Sequence, residues 1–280
     1  MSLPKPASLT PSKVTSFREC AFAFRLSVID KIPQPTNIWT LRGSLAHRVL
    51  DRFYYEVPQG QRTKAQAQAI FDEVWSDFIS RNEFLDLLGG LSERDLSTLR
   101  SSSWKMVDND FRVENPNEVQ VLGTEIMMET VHQDIVLRGV IDRLDLNSDG
   151  SLTVTDYKTG RIPSELKEHE KLIGVHFYAL LCEAVLKKRP SSVQLIYLKD
   201  ALTIVAHPTE ASIRSLQTKT SAIWRAVEHA CDQDDFRPRP SKLCSYCSYQ
   251  TLCPAQRGSL TETASGERAQ SFNEYREPNV

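Results

Sequence analysis

The chain has 280 residues, of which 40% are hydrophobic and 25% are charged, and its formal net charge is −2. These values are ordinary for a soluble globular protein, and they exclude collagen-like, wholly disordered, disulfide-rich secreted and uniformly basic nucleic-acid-binding classes. No apolar run approaches the roughly 20 residues of a membrane helix and no apolar signal segment begins the chain, so we expect a cytoplasmic protein with no membrane partner.

The first third of the sequence predicts helices. The first helix has Thr10 as its N-cap and Pro11 at its first helical position, and its apolar stripe continues to Val28. Further helices are expected over about 41–55 and 63–81, and from a capping box at Ser92 and Asp95 toward Phe111.

The pattern changes near residue 118 from helical periodicity to β-branched residues and alternation. Helices followed by strands, another helix and further strands predict an α/β core. We expect strands over 118–131, 134–146, 151–159, 192–199 and 201–208, and helices over about 164–188 and 209–231.

The polar ends of the chain predict disorder over residues 1–9 and 258–280. Between them we expect a single domain over 10–257. It contains a helical insertion at about 56–116 and a cysteine-rich segment at 237–257.

One predicted hairpin brings two carboxylates together. A three-residue loop with Gly150 in the left-handed conformation pairs Asn147 with Ser151, and in that register Asp142 lies opposite Asp156. Lys158 follows two residues later and therefore points to the same side.

Two carboxylates and an ammonium suit a divalent-cation site. The carboxylates supply the oxygen ligands that Mg²⁺ prefers, and Lys158 can orient a water or stabilise charge on a phosphate. The alternative is a cross-strand ion-pair cluster on a solvated face, which is weakened because two opposed acids repel each other without a cation.

These residues resemble a known family. The segments GVIDRLD and VTDYKTG look like motifs II and III of the PD-(D/E)XK nuclease superfamily, and GSLAHRVLD resembles the GxxxH helix of its RecB-type branch. The resemblance implies a restriction-endonuclease-like core, that is, a mixed central sheet flanked by helices. It implies metal ligation by His47, Asp142, Asp156 and the backbone carbonyl of Tyr157, and catalytic roles for Asp142, Asp156, Lys158 and Tyr178.

The resemblance includes one further acid and one departure. Glu125 stands where the family often has an acidic group near the site. Tyr178 matches the tyrosine of the family's QxxxY motif, but Gly174 occupies the glutamine position. Core packing is an equally good interpretation of Tyr178.

Three cysteines, Cys244, Cys247 and Cys253, form a C-x2-C-x5-C-P pattern that indicates metal or cluster ligation. Cys20 is the candidate for the fourth ligand, whereas Cys182 and Cys231 have the surroundings of ordinary thiols. The local pattern is compatible with zinc or an iron–sulfur cluster. The resemblance to iron–sulfur RecB-type nucleases, including the AddB nuclease domain and CRISPR-associated exonucleases, implies a 4Fe–4S cluster held by all four residues.

Basic residues are concentrated at the two ends of the predicted domain. Residues 1–50 contain seven basic and two acidic groups, and residues 237–257 contain four basic groups and no acidic one. If a metal site bound by cysteines from both ends holds these segments together, their basic residues form an anion-binding face. Chance variation on solvated faces explains the charges equally well. Six basic residues are candidates for phosphate contacts: Lys13, Arg18, Arg25, Arg42, Arg48 and Lys242. Two aromatic residues, Tyr246 and Tyr249, are candidates either for base stacking or for packing around the cluster.

Taken with the resemblance, these patterns predict an Mg²⁺- or Mn²⁺-dependent DNA exonuclease that acts on single strands or ends. The family implies a role in DNA repair or recombination and a possible helicase partner. Two other interpretations stay open: a catalytically weak DNA-binding module and a zinc-stapled adaptor protein.

Overall fold

The computed structural model describes residues 2–35, 37–80, 90–160, 162 and 165–256. The chain divides into two compact units. One comprises Met1–Pro35, Val131–Arg138 and Arg214–Val280, and the other comprises Thr36–Thr130 and Gly139–Ile213. We call them the terminal unit and the central unit. The predicted disordered tail at 258–280 lies outside the described residues.

A mixed five-stranded sheet organises the fold, as the sequence predicts. Its strands run in the order β1-β2-β3-β4-β5. β2 and β3 are antiparallel, β3 and β4 are parallel, and β4 and β5 are antiparallel. The strands are β1 Val121–His132, β2 Ile135–Leu146, β3 Leu152–Lys158, β4 Ser192–Tyr197 and β5 Leu202–Ala206.

The predicted hairpin register between β2 and β3 is confirmed. Gly150 has φ +79°, the left-handed conformation that the turn requires. Asn147 and Ser151 close the turn, because the Asn147 amide donates to the Ser151 carbonyl at 2.9 Å. The ladder then pairs Leu146 with Leu152 and continues to Arg143 and Thr155.

Helices of the central unit pack against this sheet and against one another. They are α3 Ile38–Glu56, α4 Lys64–Ile79, α5 Glu93–Val113 and α6 Glu165–Leu186. α3 carries the apolar stripe that includes Leu45, Val49 and Phe53, and this stripe shares a buried core with α4, α5 and Tyr157. The capping box at Ser92 is confirmed, since the Asp95 amide donates to the Ser92 hydroxyl and the Asp95 carboxylate accepts from the Ser92 amide.

The terminal unit joins both ends of the chain. The sequence predicts disorder at the N-terminus, but residues 2–9 form ordered contacts within the terminal unit. Leu9 is fully buried and forms a parallel bridge with Leu137. Its helices are α1 Pro11–Glu19, α2 Ala21–Phe24, a π-helical turn Arg25–Ile29, and α7 Glu210–Gln233, followed by short 3-10 turns Lys242–Tyr246 and Gln250–Leu252. Among the described residues, every helix is too short or too polar to cross a membrane.

The prediction of one continuous helix from Thr10 to Val28 is wrong. The predicted cap and start are correct, because the Lys13 amide donates to the Thr10 hydroxyl at 3.2 Å. The chain then leaves the helix at Cys20, which is extended with φ −160° and ψ 108°. Apolar periodicity does not report such a break, since the stripe resumes in α2 with Phe24 on the buried side.

Candidate functional site

The two predicted carboxylates lie at the end of the β2–β3 hairpin. Asp142 accepts a hydrogen bond from the Tyr157 backbone amide at 2.7 Å. The Lys158 ammonium forms an ion pair with Asp156. The hairpin register therefore places all three predicted side chains at the same end of these two strands.

Helix α3 brings His47 to the same place. Gly43 lies one helical turn earlier, where an added Cβ would be 2.8 Å from the Thr159 hydroxyl, so a larger residue there would force the Thr159 side chain to move. His47 Nδ1 is 3.6 Å from an Asp142 carboxylate oxygen. The ring of Tyr157, whose backbone carbonyl is the predicted fourth ligand, packs edge-to-face against the His47 ring with the ring centroids 6.0 Å apart.

Glu125 joins this group because its backbone is locally irregular. It lies within β1 yet has φ +46°, a conformation that non-glycine residues rarely adopt and that re-aims the side chain. Ligand atoms of His47, Glu125 and Asp142 all lie within 4.8 Å of one another. Asp156 is not part of this compact trio and is held instead by Lys158.

The ionisation of the trio reflects burial and crowding of negative charge. Burial and the neighbouring Asp156 raise the pKa of Asp142 to about 7. Burial and Asp142 also raise the pKa of Glu125. Burial lowers the pKa of His47, which leaves its imidazole neutral and able to act as a ligand.

These donors fit a divalent cation. A neutral imidazole, carboxylates and a backbone carbonyl are the ligand types that first-row divalent metals accept, and the imidazole favours Mn²⁺ over Mg²⁺. The repulsion that raises the Asp142 pKa is the repulsion that a bound cation would relieve. The predicted ligands His47, Asp142 and Tyr157 thus lie together with Glu125, and Asp156 lies beside them.

Tyr178 lies on α6 beside the carboxylates. Its phenol is largely buried, and burial together with the nearby negative charge of Asp156 raises its pKa above the usual range. Gly139 makes room for it, since an added Cβ there would be 3.3 Å from the Tyr178 ring. At Gly174, the departure from the family pattern, an added Cβ would meet no described atom within 4 Å.

The four predicted cluster cysteines meet in the terminal unit. Cys20, Cys244, Cys247 and Cys253 line one cavity of about 200 Å³. The Arg239 amide donates to Cys20 Sγ at 3.4 Å, and the Ser241 amide donates to Cys244 Sγ at 3.3 Å. Such N–H donors stabilise thiolates and tune the clusters they bind.

These donors fit both kinds of metal site that the cysteine pattern allows. Four thiolates can hold a single tetrahedral zinc ion or an iron–sulfur cluster. The cavity that the four cysteines line would therefore suit a metal centre that joins Cys20 to the other three.

Cys182 and Cys231 are buried away from this cavity, as the sequence predicts, and burial raises the pKa of both thiols. Of the two tyrosines near the cluster, Tyr249 is buried and its hydroxyl donates to the Ile32 carbonyl at 2.9 Å. This contact favours packing for Tyr249. Tyr246 is 55% exposed, so base stacking stays a prediction for that residue alone.

A buried charge network beside the carboxylates was not predicted from the sequence. Arg143 is completely buried and bonds to Glu114, Asp145 and the Tyr157 hydroxyl. Alternation along β2 contains the signal, because it places two charges, Arg143 and Asp145, on the same side as buried Ile141. The partner Glu114 follows the end of α5 and has no such local signal.

The network extends to Tyr54 and Asp110. The Tyr54 hydroxyl lies 2.7 Å from both Asp110 and Glu114. One hydroxyl has a single proton, so a protonated Asp110 must donate to Tyr54 while Tyr54 donates to Glu114. Consistent with this, burial and the charge of Glu114 raise the pKa of Asp110 to about 8.

We expect Asp110 to make folding stability depend on pH. Its pKa of about 8 in the folded chain exceeds the ordinary 3.8, so its stabilising effect is complete below pH 4 and is lost as pH rises toward 8. The Asp110→Asn variant keeps a donor to Tyr54 but does not titrate. Between pH 5 and 8 the free energy of unfolding should fall by about 1 kcal/mol per pH unit more in the wild type than in the variant. Urea titrations at each pH measure this, and parallel curves would contradict it.

Three findings relate this chain to known proteins. A family model described as PD-(D/E)XK nuclease superfamily matches residues 8–254. The Gene 69 protein of Mycobacterium phage D29 is 24% identical over an alignment of 280 positions that covers 87% of this chain and 95% of that protein. A crystal structure named "Putative exonuclease", from Eubacterium rectale, aligns with a TM-score of 0.55 and 10% identity over 87% of this chain and 88% of the other. At that identity the structural likeness shows the fold alone.

Proposed function

Since the chain belongs to the PD-(D/E)XK nuclease superfamily, we propose that it is a metal-dependent deoxyribonuclease that hydrolyses phosphodiester bonds. The observation that carries the proposal is the convergence of Asp142, Asp156 and Lys158 with His47 at one strand end. His47, Glu125 and Asp142, with the Tyr157 carbonyl and Asp156, would hold the cation. A bound divalent cation polarises a phosphate and lowers the pKa of water.

The chain's own residues prepare this chemistry. The Tyr157 amide holds the Asp142 carboxylate in place, and the largely buried Tyr178 phenol lies near Asp156. Lys158, whose side chain is 36% exposed, is the cation that can reach the substrate and its attacking water. Its ammonium would orient that water and stabilise the charge that develops on the phosphate.

The cysteine cavity supports a second cofactor. We propose that Cys20, Cys244, Cys247 and Cys253 hold a 4Fe–4S cluster, because the four cysteines line one cavity and their pattern in the sequence resembles that of iron–sulfur RecB-type nucleases. Cys20 precedes α2 and the other three follow α7, so the cluster would join the two ends of the chain within the terminal unit. We therefore propose a structural role for the cluster. Metal analysis that finds zinc and no iron would instead favour the zinc-stapled adaptor.

The proposed substrate is DNA with a free end. The similarity in fold to a protein named as an exonuclease supports this choice, and the family suggests a repair or recombination setting with a helicase partner. Exposed Tyr246, near Lys242 in the chain, adds an aromatic face next to a phosphate-binding cation.

Linear and circular DNA test the proposal directly. Purified protein with Mn²⁺ should shorten 5′- and 3′-labelled linear single strands stepwise, and it should leave a circular single strand of the same sequence intact. Cleavage of the circle would show endonuclease action instead. Binding of both DNAs without any metal-dependent cleavage would favour the DNA-binding module.

A further inference from the structure

We propose that the buried pair Arg143 and Tyr157 positions the metal site from the far side of the same two strands. Side chains alternate along a strand, so these two point away from Asp142 and Asp156, their neighbours in the sequence. They touch no proposed substrate and are positioning residues. The inference rests on the proposed metal-dependent activity and names the contacts that set its geometry.

The backbone ladder alone does not hold the site together. The last β2–β3 pair toward the site is Arg143 with Thr155. Beyond it the strands are linked by the Tyr157 amide, which donates to the Asp142 carboxylate at 2.7 Å. The orientation of this one peptide group therefore decides where the Asp142 carboxylate points.

Tyr157 affects two proposed ligands at once. Its amide donates to the Asp142 carboxylate, and its ring packs edge-to-face against the His47 ring with the centroids 6.0 Å apart. A small displacement of Tyr157 would therefore move both ligands. The residue needs an anchor that is not itself part of the cation site.

Arg143 provides that anchor. Its Nη1 donates to the Tyr157 hydroxyl at 2.6 Å, both Nη groups bind the Glu114 carboxylate at 2.5 and 2.9 Å, and Nε binds Asp145 at 2.9 Å. The guanidinium is fully buried and fixed by its planar donor geometry. It therefore fixes the Tyr157 ring relative to β2 and to the end of α5.

The composition of the network argues for positioning over simple packing. Buried ion pairs are seldom more stable than well-packed apolar groups of the same size. Bidentate arginine contacts do, however, define orientation more strictly than apolar contacts. A metal site needs its ligands placed to within a few tenths of an ångström, and strictly oriented contacts around the site help to keep them there.

Tyr157→Phe is the decisive variant because it removes one oxygen and keeps the buried ring. Arg143→Met is unsuitable as the main test, since it leaves Glu114 and Asp145 buried without their cation and should unfold the chain. Tyr54→Phe is the matched control. It removes a buried hydroxyl from the same network but leaves the bond between Arg143 and Tyr157 intact.

The measurement is Mn²⁺ binding to the full chain by calorimetry and by the electron paramagnetic resonance of bound Mn²⁺. We expect Tyr157→Phe to bind Mn²⁺ about tenfold more weakly, as loss of an outer hydrogen bond typically does. Its DNA cleavage should recover as Mn²⁺ is raised. Tyr54→Phe should bind Mn²⁺ like the wild type, although both variants lose thermal stability.

The possible failures are distinguishable. Wild-type affinity in Tyr157→Phe, or equal weakening in both variants, would overturn the positioning role while leaving the proposed function intact. No Mn²⁺ binding by the wild type would overturn the proposed function and this inference together.

Discussion

Asp156→Asn and Lys158→Ala should each reduce the rate of DNA cleavage by at least about a hundredfold in the presence of Mn²⁺. Asp156→Asn removes the negative charge from an oxygen donor beside the cation trio and leaves its shape unchanged. Lys158→Ala removes the ammonium that stabilises charge on the phosphate, and loss of one such group typically costs a hundredfold to a thousandfold. Initial rates on end-labelled linear DNA measure both effects.

Matched controls are available at the turn of the same hairpin, one within it and one in contact with it. Asp149 lies in the exposed turn, where its carboxylate accepts from the Ser151 amide, and Lys188 donates to the Gly150 carbonyl. Asp149→Asn and Lys188→Ala should cleave DNA at the wild-type rate. If Asp156→Asn and Lys158→Ala cleave as fast as these controls, the catalytic assignment is wrong.

The two proposed residues should differ in metal binding. Asp156→Asn should weaken Mn²⁺ affinity because it reduces the negative charge at the site. Lys158→Ala should retain or strengthen it, since a cation next to the site has been removed. A loss of activity with opposite effects on Mn²⁺ affinity would separate the ligand role from the charge-stabilising role.

Local sequence information was sufficient for the hairpin that holds the acids. Gly150 sets the turn, the turn sets the register, and the register aligns Asp142 with Asp156. Caps at Thr10 and Ser92 were also predictable, because each depends on residues within one helical turn.

Features that depend on distant contacts were not predictable in this way. The break at Cys20 interrupts a continuous apolar stripe, and the Cys20 sulfur accepts from Arg239, far away in the sequence. The approach of His47 depends on Gly43 meeting Thr159, so its role was available only from the resemblance. The positive φ of Glu125 has no local sequence cause that we can identify.

The cysteine cavity gives the second large expected effect. Cys244→Ala should reduce bound iron from about four atoms per chain to less than one, and the anaerobically purified protein should lose its brown colour. Cluster ligation contributes folding free energy as well as binding. The terminal unit of the variant should therefore unfold at a much lower temperature and become sensitive to limited proteolysis.

Cys231→Ala is the control for this experiment, because Cys231 is buried in the same unit but lies outside the cavity. It should keep its iron and lose only the stability that a small cavity costs. Iron and zinc analysis of the wild type then decides between an iron–sulfur cluster and a zinc ion, because a colourless chain with one zinc would favour the zinc-stapled alternative. If Cys244→Ala is as stable as the wild type, neither metal has a structural role in this unit. Because Asp142 and its partners lie in the central unit, Mn²⁺ binding that survives in Cys244→Ala would show that the cluster stabilises the fold without taking part in the hydrolysis.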